Sequence, residues 1–179
     1  MNKTFLVAWV LALAFITPGL VTSGMVPSIE TFLMEEESSS ELPEFLDAIG
    51  FQESKNNYLV VNQYGYMGKY QFGRATLRGL GYNVTRRQFL DSPELQEEAM
   101  IKLLEHNKFV LRNYITHYSG KKVHGIKVTE SGLLAAAHLV GPAKVKEFLL
   151  TGKDAKDGNN TPMTYYLQRF GGYELNLQS

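Results

Sequence analysis

The residues able to do chemistry concentrate between Gln52 and Gly73, where a single acid, Glu53, is followed by Ser54, Asn62, Tyr64, Tyr66, Tyr70, Gln71 and Phe72. Upstream, Leu42, Phe45, Leu46 and Ile49 recur at helical spacing, and stepping about 100° per residue returns Glu53 to within roughly 20° of that stripe. A carboxylate is therefore expected on the face that turns inward. Desolvation penalises its charged form, so its pKa is expected to rise and the group to remain a proton donor near neutral pH. Such a donor is what cleavage of a glycosidic bond requires at the bridging oxygen. The same periodicity also allows Glu53 to have left the helix and to cap or solvate its end.

The run from Asn62 to Gly73 places Gly65, Gly68 and Gly73 where a backbone turns or approaches a ligand closely. Tyr64, Tyr66, Tyr70 and Phe72 are then available to stack on sugar rings, with the Gln71 amide beside them. Between Ser54 and Leu90 there is no second acid. Asp91, the next one, is expected to cap a helix. His106, His117, His124 and His138 share no paired spacing on one helix face, and cysteine is absent. No zinc site, and no cofactor of any kind, is expected.

The elements that must position these groups read as mostly helical. A first helix is expected from a Ser39 or Ser40 cap through Pro43 and Glu44 to about Glu53. A small hairpin or three-stranded wing is expected over Tyr58 to Phe72, and a short helix from Arg74 stopped by Gly81. Asp91-Ser92-Pro93-Glu94 opens the longest helix, expected to run to about Ile115 and to form the spine of the core. Lys121 to Val128 reads as a polar connection able to pair briefly. Helices are then expected from Thr129 to His138, from Pro142 to Leu150, and from Thr161-Pro162 through Tyr165, Tyr166 and Phe170. Tyr165 is the candidate that this last helix offers to a ligand. The expected fold class is α+β, mostly helical, with one small β-wing.

At the N-terminus, Met1-Asn2-Lys3 followed by the apolar run Phe5 to Val21 reads as an export signal covering residues 1–23. An uncleaved anchor is the alternative, since a span needs about 17–25 apolar residues. Residues 24–40, rich in Glu and Ser, read as a linker or loosely docked arm, and residues 41–179 as the catalytic domain. The whole chain carries 18 basic and 18 acidic residues, yet seven acids precede Ala48 and only Lys3 balances them. The remainder is mildly basic, which suits an anionic polymer but is too dispersed to argue for nucleic acid. Without cysteine there is no lipid-modified cysteine and no disulfide, so the fold must stand on its hydrophobic core.

Glu53-Ser54 followed by Gly68-Lys69-Tyr70-Gln71 resembles the Glu-Ser and Gly-Leu-Met-Gln elements of lysozyme-like lytic transglycosylases, in a phage-type muralytic variant with Tyr-Gln in place of Met-Gln. Ala135-Ala136-Ala137-His138-Leu139-Val140-Gly141 falls where that family carries Ala-Tyr-Asn-x-Gly, with His138 in place of its tyrosine. The resemblance implies a lysozyme-like fold and an enzyme that acts on peptidoglycan glycan strands; with the export signal read at the N-terminus, it is expected in the periplasm or cell envelope or to be secreted, and a monomer is expected. The resemblance implies that Glu53 alone serves as acid and then base. A muramic hydroxyl would close on the anomeric carbon to leave a 1,6-anhydro end. Ser54, Asn62, Tyr70, Gln71, His138 and Tyr165 are the expected sugar contacts. A hydrolytic lysozyme and a catalytically inactive peptidoglycan-binding or envelope assembly domain remain as alternatives.

Overall fold

Ser40 is where the first helix and the C-terminal tail are tied together. Its hydroxyl accepts from the backbone N–H of Leu42 at 3.3 Å and of Asn176 at 3.4 Å. Beside it, Glu41 and Glu174 are joined through backbone and side chain at 2.9 and 2.8 Å. The computed structural model describes residues 40–177, all within the second of two units that divide at Ser38. The expected export signal and most of the linker lie outside the described residues. Among the described residues no helix is long and apolar enough to cross a membrane.

The chain folds as a mostly helical α+β structure. Helix α1 (Leu42–Ser54) starts with Pro43 and Glu44 in its first turn and ends on Lys55 in the left-handed region. Helices α2 (Arg74–Gly79) and α3 (Arg86–Leu90) are short, the second closed by a reciprocal Thr85–Gln88 capping box. Helix α4 (Pro93–Tyr118) is capped by the Ser92 hydroxyl, which accepts from Leu95 N–H. Asp91, expected to cap α4, instead ends α3 and pairs with Arg87 at the surface. Strands β1 (Lys122–Val123) and β2 (Ile126–Lys127) pair antiparallel around His124 and Gly125, both at positive φ, as a tight two-residue hairpin requires. Helices α5 (Glu130–Val140), α6 (Pro142–Thr151) and α7 (Met163–Arg169) complete the order.

The expected wing over residues 58–72 contracts to single rungs. Met67 bridges Val61 on one side and Phe72 on the other, and the only ladder of paired strands among the described residues is β1–β2. Glycines at 65 and 68, with φ of 82° and 74°, turn the chain too often for a longer ladder. What holds the wing is α4. Gln96, wholly buried, accepts from Lys69 N–H at 2.9 Å and donates to the carbonyls of Tyr58 at 3.0 Å and Phe89 at 2.9 Å. Next to it, the Glu97 carboxylate receives Tyr58 Oη and Tyr70 Oη at 2.6 Å each and Lys69 Nζ at 2.9 Å. Burial pushes the Glu97 carboxyl upward, but these donors and the lysine charge outweigh it and leave it below the usual range.

The centre of the core is α5 rather than the longest helix. Every residue from Ser131 to Ala137 is buried, whereas α4 buries one stripe and exposes the other. Small side chains let neighbours approach. A Cβ on Gly132 would lie 2.5 Å from the Leu167 carbonyl oxygen, so α7 packs against α5 where only hydrogen fits.

That contact yields a paired prediction for urea unfolding. Gly132→Ala should lower stability by about 1–3 kcal/mol through overpacking. Gly79→Ala, whose Cβ meets nothing within 4 Å, should raise it by about 0.5–1 kcal/mol through reduced chain entropy. Equal effects of the two changes would contradict the packing described.

Candidate functional site

Three helices and the wing converge on Glu53. Helix α1 carries it one turn beyond Ile49, on the buried stripe, and its side chain retains 15 % exposure. Tyr166 of α7 donates its hydroxyl to Glu53 Oε1 at 2.5 Å. His138 of α5 brings Nε2 to 3.6 Å from the same oxygen, an ion pair when the imidazole is protonated. Both contacts fall on Oε1. Oε2 makes no hydrogen bond among the described residues and is not sealed from solvent, so it is the oxygen presented to the space above.

That space is a groove of about 650 Å³. Asn62, Tyr64, Tyr66, Gln71 and Phe72 of the wing line one side, together with Thr76, Gly79 and Leu80 around α2. Leu103, His106 and Asn107 of α4, Ala137 to Pro142 and residues 155–159 complete the lining. The Tyr64 hydroxyl donates to the Gly158 carbonyl at 3.3 Å, so the wing touches the loop that carries Asp157.

Burial alone pushes the Glu53 carboxyl up, as the sequence leads one to expect. The pairing with His138, by contact and by charge, and the Tyr166 hydrogen bond act the other way and prevail. Glu53 therefore titrates below the ordinary glutamate range, a correction to the expected rise. Tyr166 is in turn held protonated by burial, by the Glu53 charge and hydrogen bond, and by the charge of Asp157.

The sequence candidates divide into two groups. Glu53, Asn62, Gln71 and His138 share the groove. Asn62 uses its side-chain oxygen to accept from Tyr64 and Tyr66 N–H at 2.9 and 3.1 Å, shaping the wing tip. Gln71 sits at φ 52°, in the sparsely populated left-handed region, with its amide nitrogen on the Gly68 carbonyl at 2.9 Å. The other three have structural places instead. Ser54 Oγ donates to the Lys69 carbonyl at 2.8 Å and accepts from Asn57 N–H at 2.9 Å, clipping the end of α1 to the wing. Tyr70 is fully buried with its hydroxyl on Glu97, so no sugar can stack on it. Tyr165 is exposed and lies against Gln52 at 3.3 Å, outside the groove lining.

Tyr166 is the tyrosine that α7 contributes, and a sequence signal for it existed. Met163, Tyr166, Leu167 and Phe170 follow the i, i+3, i+4, i+7 stripe that turns inward, and Tyr165 stands off it. Asp157 carried no such signal, because it lies in an irregular loop far along the chain and reaches the groove only through the fold. Its Oδ1 accepts from Asn159 and Thr161 N–H at 3.0 and 2.7 Å, which fixes the loop. Of the remaining histidines, His117 is exposed beside Tyr118, and His124 packs its ring against Phe148.

Compared with protein-family models, with curated proteins and with solved structures, the chain finds no match in any of the three. A poorly solvated carboxylate with one oxygen fixed and one open, in a groove flanked by aromatic rings, is suited to moving a proton on a polar, extended ligand.

Because the Tyr166 hydrogen bond stabilises the ionised form, Tyr166→Phe should move the Glu53 carboxyl titration upward, followed by carbon-13 NMR of the carboxyl. Tyr165→Phe should leave it in place. The opposite ranking would mean that the wrong tyrosine has been assigned to the carboxylate.

Proposed function

We propose that this protein is an exported peptidoglycan-cleaving enzyme of lysozyme-like fold, and that it works as a lytic transglycosylase on the bond between N-acetylmuramic acid and N-acetylglucosamine. The observation that carries this reading is Glu53 in its groove, with Oε1 anchored by Tyr166 and Oε2 open. Asn62 and Gln71 lie on one wall, and Tyr64 and Tyr66, about half exposed, offer ring faces at the rim. The resemblance of Glu53-Ser54 and Gly68-Lys69-Tyr70-Gln71 to muralytic domains supports the same assignment, and the apolar N-terminal run supports export.

In this mechanism Glu53 gives a proton to the bridging oxygen as the glycosidic bond breaks. The same carboxylate then takes the proton of the muramic C6 hydroxyl while that oxygen bonds to the anomeric carbon. No water enters. The step needs one carboxylate, correctly placed, and a groove that holds the sugar against it.

A second reading is favoured by Asp157. It lines the same groove, and its charge is felt at Tyr166, the residue that touches Glu53. A hydrolytic lysozyme uses two carboxyl groups, about 5–9.5 Å apart according to whether it retains or inverts. Asp157 would supply the one that the wing lacks.

Release of muropeptides from purified cell walls tests both readings. Glu53→Gln should lower the rate by at least about 100-fold, the low end of general acid–base contributions, with the thermal midpoint little changed. Full activity in that variant would remove Glu53 from the chemistry. Asp157→Asn should stay within a few-fold of the parent if Glu53 acts alone, and a loss matching that of Glu53→Gln would favour the two-carboxylate hydrolase.

A further inference from the structure

Two amides stand on the buried stripe of α4, and they are used differently. Gln96 is fully buried and commits its side chain to protein, accepting from Lys69 N–H and donating to the Tyr58 and Phe89 carbonyls. Asn107, about three turns further along, is 1 % exposed and makes no side-chain hydrogen bond among the described residues. Its Nδ2 is wholly buried, whereas Oδ1 is not sealed off, and the residue lines the groove that holds Glu53. The carboxamide therefore borders the ligand space, with one polar atom at the boundary and one behind it.

Packing gives no reason for an asparagine here. The rest of the stripe carries Ala99, Met100, Leu103, Leu104, Leu111 and Ile115, and a leucine at 107 would bury more apolar surface and orphan nothing. Asparagine is also among the poorer helix formers. A buried amide without a partner bears the desolvation of its donor, and buried polar groups in folded proteins are nearly always paired. That cost is offset when a group entering the groove supplies the partner. A half-turn about the last side-chain bond exchanges the two amide atoms, so Asn107 can turn a donor or an acceptor toward the groove.

The surroundings select what that group is. Leu103 lies one turn before Asn107 on the same face, and Leu80, just after α2, and Ala137 of α5 line the same groove. A carboxylate would bring a charge against these side chains, which is far costlier than bringing a neutral dipole. An N-acetyl group suits them, because it joins a neutral carbonyl and N–H to a small apolar methyl.

We propose that Asn107 is a ligand-binding residue of this groove that selects N-acetylated sugars. Its amide donates to the acetamido carbonyl, and the acetyl methyl packs on the apolar lining supplied by Leu80, Leu103 and Ala137. This rests on the glycan reading given above and deepens it, since it names the group of the sugar that the groove reads and the residue that reads it. Asn107 sets specificity, and the proton chemistry stays with Glu53.

Binding tests this without any cleavage. The purified protein is titrated with a tetramer of N-acetylglucosamine, with the same tetramer bearing free amines, and with a wall-stem tripeptide, while nitrogen-15 NMR follows the side-chain amide of Asn107. The N-acetylated tetramer should move that signal, and the other two should not. Asn107→Leu should weaken binding of the N-acetylated tetramer roughly tenfold and leave that of the amine form unchanged. The thermal midpoint of this variant should hold or rise, since an unpaired buried donor gives way to apolar surface. No binding of the N-acetylated tetramer, an unmoved Asn107 signal when it binds, an equal response to the amine form, or a response to the tripeptide alone would overturn the proposal. So would an Asn107→Leu variant that loses stability and binds like the parent, the behaviour of a structural residue. The parent's own signal decides the matter if the variant fails to fold. Selective binding through Asn107 without release of muropeptides would end the proposed activity and leave this assignment standing, and release with a silent Asn107 would do the reverse.

Discussion

The hydrogen bond from Tyr166 to Glu53, 2.5 Å long, joins the first described helix to the last. A carboxylate taken out of water needs partners, because an unpaired buried charge is among the costliest features a fold can carry. Here α1 supplies the acid, α7 the hydroxyl and α5 the imidazole, so the three helices must meet in one arrangement for the charge to be tolerated. Gly132 lets α7 close on α5, and the Ser40, Glu41 and Glu174 contacts close the C-terminal tail on the start of α1. Burial of the acid and packing of the helices are one constraint.

The wing is positioned by a second set of polar contacts that never meets the groove. Gln96 and Glu97, adjacent on α4, take up three backbone groups and three side-chain donors from Tyr58, Lys69, Tyr70 and Phe89. A segment with single-rung pairing and repeated glycines has little stability of its own. Bolted in this way, it holds Asn62, Tyr64, Tyr66 and Gln71 against Glu53 with its backbone fixed. The Tyr-Gln pair that drew notice in the sequence thus divides its work, Tyr70 anchoring the wing from below and Gln71 facing the ligand space.

Much of this was legible in the sequence because it was periodic or capped. The inward stripe of α1 that ends in Glu53, the Ser92-Pro93 start of α4, the Thr129 cap and the Gly141-Pro142 break all appear where local rules place them. In the last helix the inward stripe of Met163, Tyr166, Leu167 and Phe170 selects Tyr166, and the expected Tyr165 stands off it. What local rules could not supply was long-range. Asp157 reaches the groove from an irregular loop, Gln96 and Glu97 meet the wing only through contacts 27 to 39 residues apart along the chain, and the Glu53 pKa depends on partners contributed by two distant helices. Desolvation was foreseeable from burial and does push the carboxyl up, but neighbours that only the fold brings in outweigh it and make the net shift downward.

The central claim is that one carboxylate, Glu53, serves as both acid and base, with no water entering the bond it breaks. Digestion of peptidoglycan in oxygen-18 water, with the muramic ends of the products weighed by mass spectrometry, tests it most directly. A single-carboxylate transglycosylase leaves 1,6-anhydro ends that carry no label, and the account predicts this result. Muramic ends that have gained a labelled water would contradict it and identify a hydrolase.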